Sequence, residues 1–450
     1  MRLSGKLSAA IEILDDFQKR RVPLKTAIAD WGRNNRYAGS KDRAWISGLC
    51  LDALRQKSSL ENAMGAETSR ALVLGTAGLV WKIALTELTE AAAEEPHGPG
   101  TLSDDEVAGL GAQNLATDAV DFPEWLGPFV DRAFGDQSAA EMAAFAQRAD
   151  IDLRLNSLKA TPEKSLQALK SVKAVAVPMV ATSARIAAPD PSVKAPAVTV
   201  IPAFNKGWVE VQDLGSQIAA AAAGNINGAQ VLDFCAGGGG KTLALSAMME
   251  NTGQLYAYDI DARRLKPLFH RAKRAGVRNL QIRSPAGSEG LDDLVGKMDV
   301  VFVDAPCTGS GTWRRHPDTK WRLKQTQLQR RMDEQDQVLA AASKFVKPGG
   351  RLVYVTCSFF HEENEDRLEK FLRENTEFSA RIALDDVRDA GLASQEGLVS
   401  QKGLVSHEGL AALKKCETAD GALRLTPYRV RTDGFFIATL MRETSGKTSS

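Results

Sequence analysis

Apolar positions fall into two regimes along the chain. In SAAIEILDDF (8–17), DRAWISGLCLDALRQ (42–56) and SRALVLGTAGLVWKIALTEL (69–88) they recur every three to four residues, the spacing of one buried helix face. Residues 1–145 therefore predict an all-helical domain, with breaks at HGPGTLSDDE (97–106), where Gly and Pro precede a Ser or Asp cap, and near DFPEWLG (121–127). From 148 to 205 the pattern changes. IDLRLN and the Val- and Pro-rich KAVAVPMVATSARIAAP predict short strands around the helical stretch PEKSLQALKSV, a small α+β connector.

From 206 to 445 short apolar runs alternate with amphipathic ones: a helix at SQIAAAAAG, a strand at VLDF, a helix after GGGGKT and a strand at LYAYDI. A basic helix follows, then strands at QIRS, VVFVDAP and RLVYVTC. This alternation predicts an α/β domain with a mostly parallel, doubly wound sheet. DGALRLTPYRVRTDGFFIATLMR (420–442) predicts an antiparallel hairpin at the sheet edge, turning at TDG. GLASQEGLVSQKGLVSHEGL (391–410) holds three imperfect six-residue units, too short an array for a solenoid, and predicts a surface loop.

Composition narrows the class. At 450 residues the chain can bury more than one core, and 44% apolar with 25% charged residues is a soluble globular balance. No apolar run is long enough to span a bilayer, and the N-terminal stretch lacks a signal-peptide pattern, so cytoplasmic residence is expected. Five widely spaced cysteines form no CxxC pair, which argues against structural zinc or a disulfide framework, and no metal is expected. Net charge is +1, yet Arg263 to Arg283 carries eight Lys or Arg and no acid. A second basic cluster runs through Arg314, Arg315, Lys320, Arg322 and Lys324. Either cluster could bind phosphates or be a solvated helix face.

The chemistry concentrates at strand ends. VLDFCAGGGGKT places four glycines, Gly237 to Gly240, after a strand and before a helix, where backbone amides can approach a ligand. Asp259 ends the next strand, 19 residues beyond Gly240, where a carboxylate can accept ribose hydroxyls. A Walker A loop would need glycine at Cys235, and a GxGxxG fingerprint fails at Thr242, so neither P-loop nor NAD chemistry fits. A ligand-free glycine turn would leave Asp259 and the strand-end cysteines unexplained. Cys50, Cys235 and Cys416 read as small packing thiols. Cys307, in DAPCTGSG, and Cys357, in TCSFF, instead follow strands at polar, small-residue turns suited to a nucleophile.

The order and spacing of GWVEVQDLGSQ, VLDFCAGGGGKT, YAYDIDARRL, VFVDAPCTGSGTWRRHPDTKW, VKPGGRLVYVTCS and EENE resemble the RNA cytosine-5 methyltransferases. The bacterial RsmB (Sun, Fmu) branch, which modifies small-subunit ribosomal RNA, is the most similar. The resemblance implies a Rossmann-like S-adenosylmethionine-dependent methyltransferase sheet, preceded by a NusB-like helical domain. It also implies that Cys235, Ala236, Gly237, Gly238, Gly239, Gly240 and Lys241 surround the methionine end of S-adenosylmethionine. Asp259 would hold the ribose and Arg263 support it. Cys357 would attack carbon 6 of cytosine, Cys307 promote product release, Asp304 orient the base or cofactor and Pro306 shape the base wall. Arg314, Arg315, His316 and Lys320 would face RNA. Gly238 stands where the family usually has proline, and QIRSPAGS has no carboxylate before Glu289 where the family usually places one. The competing readings are a transfer RNA or DNA cytosine methyltransferase and a non-catalytic RNA-binding ribosome-assembly factor. The second strand-end thiol favours the RNA enzymes over the DNA enzymes.

Overall fold

A computed structural model describes the chain except residues 112–114, 116–119, 191–192, 194–195, 286–289, 391–403 and 445–450. It divides into two compact units. One comprises Met1–Arg148, Ala188–Pro196 and Thr312–Leu323; the other comprises Ala149–Ala187, Ala197–Gly311 and Lys324–Ser450.

The first unit is helical. In the helix Leu3–Arg20, Leu7, Ala10, Leu14 and Phe17 repeat at helical spacing and are buried with Leu49 and Leu72. The helix stops at Arg21, whose φ of 52° is left-handed and whose N–H returns to Phe17 O at 2.9 Å. Asp52, buried on the helix Ser40–Arg55, accepts from Trp81 Nε1 at 2.8 Å and from Arg148 Nη2 at 2.7 Å, and also pairs with Arg55. A buried carboxylate held by two guanidinium groups avoids the cost of an unpaired charge. Residues 312–323, expected within the methyltransferase domain, are part of this helical unit.

The second unit contains two sheets. The smaller, of order β2-β3-β1-β4, is antiparallel and consists of β1 (Ile151–Leu155), β2 (Val175–Ala176), β3 (Ser183–Ile186) and β4 (Val209–Val211). Because β4 pairs with β1, Leu153 opposite Val211, the connector's sheet continues past the boundary expected at 205.

The larger sheet contains β5 (Gln230–Asp233), β6 (Gln254–Tyr258), β7 (Leu280–Arg283), β8 (Met298–Asp304) and β9 (Val346–Thr356). It is completed by β10 (Phe378–Arg381), β11 (Leu423–Leu425) and β12 (Phe435–Arg442). Its order is β10-β12-β9-β8-β5-β6-β7, with β11 also on β12. β5 to β9 pair in parallel, and the near-continuous buried apolar runs of β5, β8 and the second half of β9 are those of strands covered on both faces. The chain builds outward from β5 through β6 to β7, then returns to β8 on the other side. The carboxyl ends of β5 and β8 therefore flank the crevice where ligands of such sheets bind. β12 is not an edge strand as expected; it runs antiparallel between β9 and β10 and is buried from Phe435 to Leu440.

Of the repeat at 391–410, residues 391–403 lie outside the described residues. Leu404 and Val405 are buried, and Ser406 caps the helix His407–Lys414 through Gly409 N at 3.0 Å, so this end of the repeat is ordered structure rather than surface loop. Among the described residues no helix is long and apolar enough to cross a membrane.

Candidate active site

Each loop of the site follows from where its strand ends. β5 finishes at Asp233, and Gly237 (φ 51°) and Gly239 (φ 84°) turn the chain into the helix Gly240–Met248. A Cβ on Gly239 would stand 2.2 Å from Leu268 Cδ1, so both conformation and space demand glycine there. Gly238 lies outside the left-handed region; its carbonyl accepts from Arg271, which secures the turn where the family pattern has proline. Asp233 is buried. Its Oδ2 accepts from Thr242 Oγ1 at 2.6 Å, while Oδ1 has no partner. Burial pushes its carboxyl up to about 7, against the Thr242 hydrogen bond, with Asp304 adding to the rise.

Asp259, just past β6, is 1% exposed and accepts from Gly237 N and Asp261 N, both at 3.0 Å. Its cation is Arg264, with Nη1 at 3.1 Å from Oδ2. Arg263, expected to support this carboxylate, instead forms a two-pronged pair with Asp261 at 2.9 Å and points to solvent. Helical phase explains the exchange: Arg263 and Arg264 lie about 100° apart around one axis, and only one can face Asp259.

The two strand-end thiols meet. β8 and β9 are parallel neighbours with Asp304 opposite Val355, so the loops that follow them emerge side by side. Cys307 Sγ and Cys357 Sγ are 3.3 Å apart. The hydrogen bond with Cys357 and then burial push the Cys307 thiol well above the ordinary range. Lys241 Nζ lies 2.7 Å from Asp304 Oδ2 and 5.3 Å from the Phe435 ring centroid. Burial disfavours the ammonium, but the Asp304 carboxylate, with smaller contributions from Cys357 and Asp233, raises Lys241 above the lysine range. One cation thus ties the glycine loop to the thiol pair.

Glu363 was not among the candidates, although it lies in the EENE motif. It is fully buried and accepts from Thr308 N at 2.8 Å, Thr308 Oγ1 and Gln335 Nε2 at 3.0 Å. Gln335 Nε2 also donates to Pro306 O at 2.9 Å, so both sides of Cys307 are fastened to one carboxyl cluster. Burial raises the Glu363 carboxyl pKa despite these donors. Asn364 does the same for the other thiol, accepting from Thr356 Oγ1 at 2.6 Å and donating to Ser358 O at 3.0 Å. Gly311 N donates to Cys357 O at 2.9 Å and Gly311 O accepts from Gly434 N at 2.7 Å; a Cβ at Gly311 would lie 2.1 Å from Gly434 O. The TDG turn before β12 therefore packs directly on the loop after Cys307.

The expected RNA-facing run is placed otherwise. Arg314 and Lys320 are each 4% exposed and belong to the helical unit's interior. Lys320 Nζ donates to Arg55 O at 2.9 Å, and Arg314 O accepts from Arg55 Nη2 at 2.9 Å. Burial brings the Lys320 ammonium down to about 7, opposed by Asp121. Arg315 is half-buried and His316 exposed.

Comparison with known proteins decides the family. The family described as "16S rRNA methyltransferase RsmB/F" matches residues 222–441. The Ribosomal RNA small subunit methyltransferase B of Salmonella typhi is 30% identical over 383 residues, covering 78% of this chain and 84% of that protein. The chain belongs to the RsmB/F family. The protein of the same name from Photorhabdus laumondii is 32% identical over 273 residues, covering 59% of this chain and 61% of that one. Against these two relatives the RsmB/F chain thus matches from about three fifths to more than four fifths of their length. A solved methyltransferase homolog from Pyrococcus horikoshii is 25% identical, covering 72% of this chain and 96% of that one, with TM-score 0.53. NSun6 from the same organism, solved with SFG, shares the fold at 21% identity, with TM-score 0.57 and coverage of 71% and 98%. The RsmB/F chain is accordingly an S-adenosylmethionine-dependent methyltransferase.

Proposed function

We propose that this chain methylates carbon 5 of a cytosine in small-subunit ribosomal RNA through a covalent adduct of Cys357 at carbon 6. The observation that carries this reading is the 3.3 Å approach of Cys357 and Cys307 beside the Lys241–Asp304 pair. Recognition of RNA alone would require neither thiol.

The residues present fit the methyl donor. Gly237 to Lys241 and the first-turn amides of the following helix form a loop open to a ligand, with no atom within 4 Å of a Cβ built on Gly240. Cys235 and Ala236 begin that loop, and Asp259 would hold the ribose hydroxyls once Arg264 yields. Bound S-adenosylmethionine supplies an electrophilic methyl group on a sulfonium.

The protein's own groups handle the base. Cys357 attacks as the thiolate, its proton passing to solvent; Cys307 Sγ lies 3.3 Å from its sulfur, and the Lys241 ammonium adds positive charge to the site. The thiolate forms a bond to carbon 6 of cytosine, and the displaced electron pair makes carbon 5 enamine-like. Asp304, steadied by Lys241, would orient the base through its N3 edge. After methylation, solvent water takes the carbon 5 proton, the C5–H electron pair re-forms the 5,6 double bond, and the carbon–sulfur bond breaks to return the Cys357 thiolate beside Cys307, which promotes release of the aromatic 5-methylcytosine. Such chemistry requires an unpaired or extruded base.

The test uses labelled S-adenosylmethionine with unmethylated 16S ribosomal RNA and, separately, transfer RNA, followed by nucleoside identification. Labelled 5-methylcytidine is expected in ribosomal RNA. C357A should abolish transfer, a loss of at least about 10³-fold for a missing nucleophile. C307A should accumulate a denaturation-resistant protein–RNA adduct. Full transfer by C357A would overturn the mechanism, and label confined to transfer RNA would overturn the substrate.

A further inference from the structure

The basic helix Ala262–Ala275 carries its cations on two faces with different occupations. Arg271 and Arg274 turn inward to Glu210, which is 2% exposed, and Arg271 also donates to Gly238 O in the glycine loop. Arg264 and Arg263 are engaged by Asp259 and Asp261. The opposite face presents Lys266, Phe269, His270 and Lys273, spaced i, i+3, i+4 and i+7, all exposed. Phe269 is 62% exposed, although the helix buries Leu265, Leu268, Ala272 and Ala275 on its inner side. No acidic residue occurs from 262 to 283, and Lys266 and Lys273 form no ion pair among the described residues.

We propose that this face binds single-stranded RNA outside the target cytosine, with Phe269 as the stacking platform for one unpaired base and Lys266 and Lys273 on the flanking phosphates. The two lysines are seven residues apart, about 10 Å along the axis, and bracket the ring on both sides. An exposed aromatic between unpaired cations matches a polyanion that also offers flat apolar rings. Arg271 joins the inner side of the same helix to the glycine loop, so RNA held outside and cofactor held inside would share one rigid element. The proposal depends on the reading above only in naming RNA as the substrate class.

The experiment measures binding of a fluorescent, unstructured 20-nucleotide RNA to the full chain across a salt series, without methyl donor. F269A should weaken binding about 5- to 150-fold with an unchanged salt slope, the range for losing one stacked base. K266A/K273A should lower the slope of log K against log salt by about 1.4, two single-strand phosphate contacts. Melting temperature and S-adenosylhomocysteine binding of each variant report on folding and should match the parent. Unchanged affinity and slope in both variants would overturn the proposal. If the parent methylates no RNA yet both variants behave as described, the reaction assignment fails and the surface stands. Normal methylation with unaltered binding in the variants gives the reverse.

Discussion

Two basic runs that look alike in sequence have opposite fates. The cations of 263–274 sit on an amphipathic helix whose inner arginines meet Glu210 and whose outer lysines meet water. Those of 314–320 lie in a segment of the helical unit where Lys320 is buried against the backbone carbonyl of Arg55 and the buried Arg314 offers its own carbonyl to the Arg55 guanidinium. In the first run the charge is available to a ligand; in the second, the long side chains and carbonyls close a core. The difference teaches that charge density along a chain marks candidate phosphate sites only after the apolar positions between the charges are placed. Leu265, Leu268 and Ala272 set one face of the first run, whereas the second has Trp313 buried and Trp321 donating to Leu54 O at 2.7 Å.

Charge reversal should separate the runs most sharply. K320E places an unpaired carboxylate beside the Arg55 carbonyl and should destabilise the helical unit by about 3–5 kcal/mol. Its amide hydrogen exchange would accelerate in the helix Ser40–Arg55, and unchanged protection there would dissolve the contrast. Next in size is a pH effect. Because the folded Lys320 pKa is about 7, below the ordinary 10.5, the unfolded state holds the extra proton between those values. Stability from this residue is therefore complete above 10.5 and declines by up to about 1.4 kcal/mol per pH unit as pH falls toward 7. Urea denaturation of the parent and K320M over this range should differ by that slope; parallel profiles would place the ammonium in water. Smallest of all, K266E should change stability by no more than about 0.5 kcal/mol, as measured by the same denaturation.

The sheet and the thiol pair were legible because both depend on local signals: alternating apolar runs, glycine turns and residues immediately after strands. Parallel pairing of β8 with β9 then brings Cys307 to Cys357 with no further information. What could not be read depends on distant partners. Lys320 is buried by Arg55, 265 positions away, and β12 finds an interior slot that its alternation alone does not distinguish from an edge. Arg263 and Arg264 are adjacent and chemically equivalent, so only helical phase chooses between them for Asp259. Glu363 was visible as a motif but without a task, since its partners Thr308 and Gln335 come from other loops and helices.

The position of β12 has a consequence for synthesis. β9, which delivers Cys357, must lie beside a strand beginning at Phe435, 79 residues after Thr356. At roughly 5–20 residues per second, a ribosome needs on the order of 4–16 s to make that stretch. Throughout this interval one side of β9 is an apolar, unpaired edge of the kind that recruits foreign strands. An enzyme of this architecture is therefore most vulnerable to aggregation while its nucleophile has been made but the strand that walls it in has not.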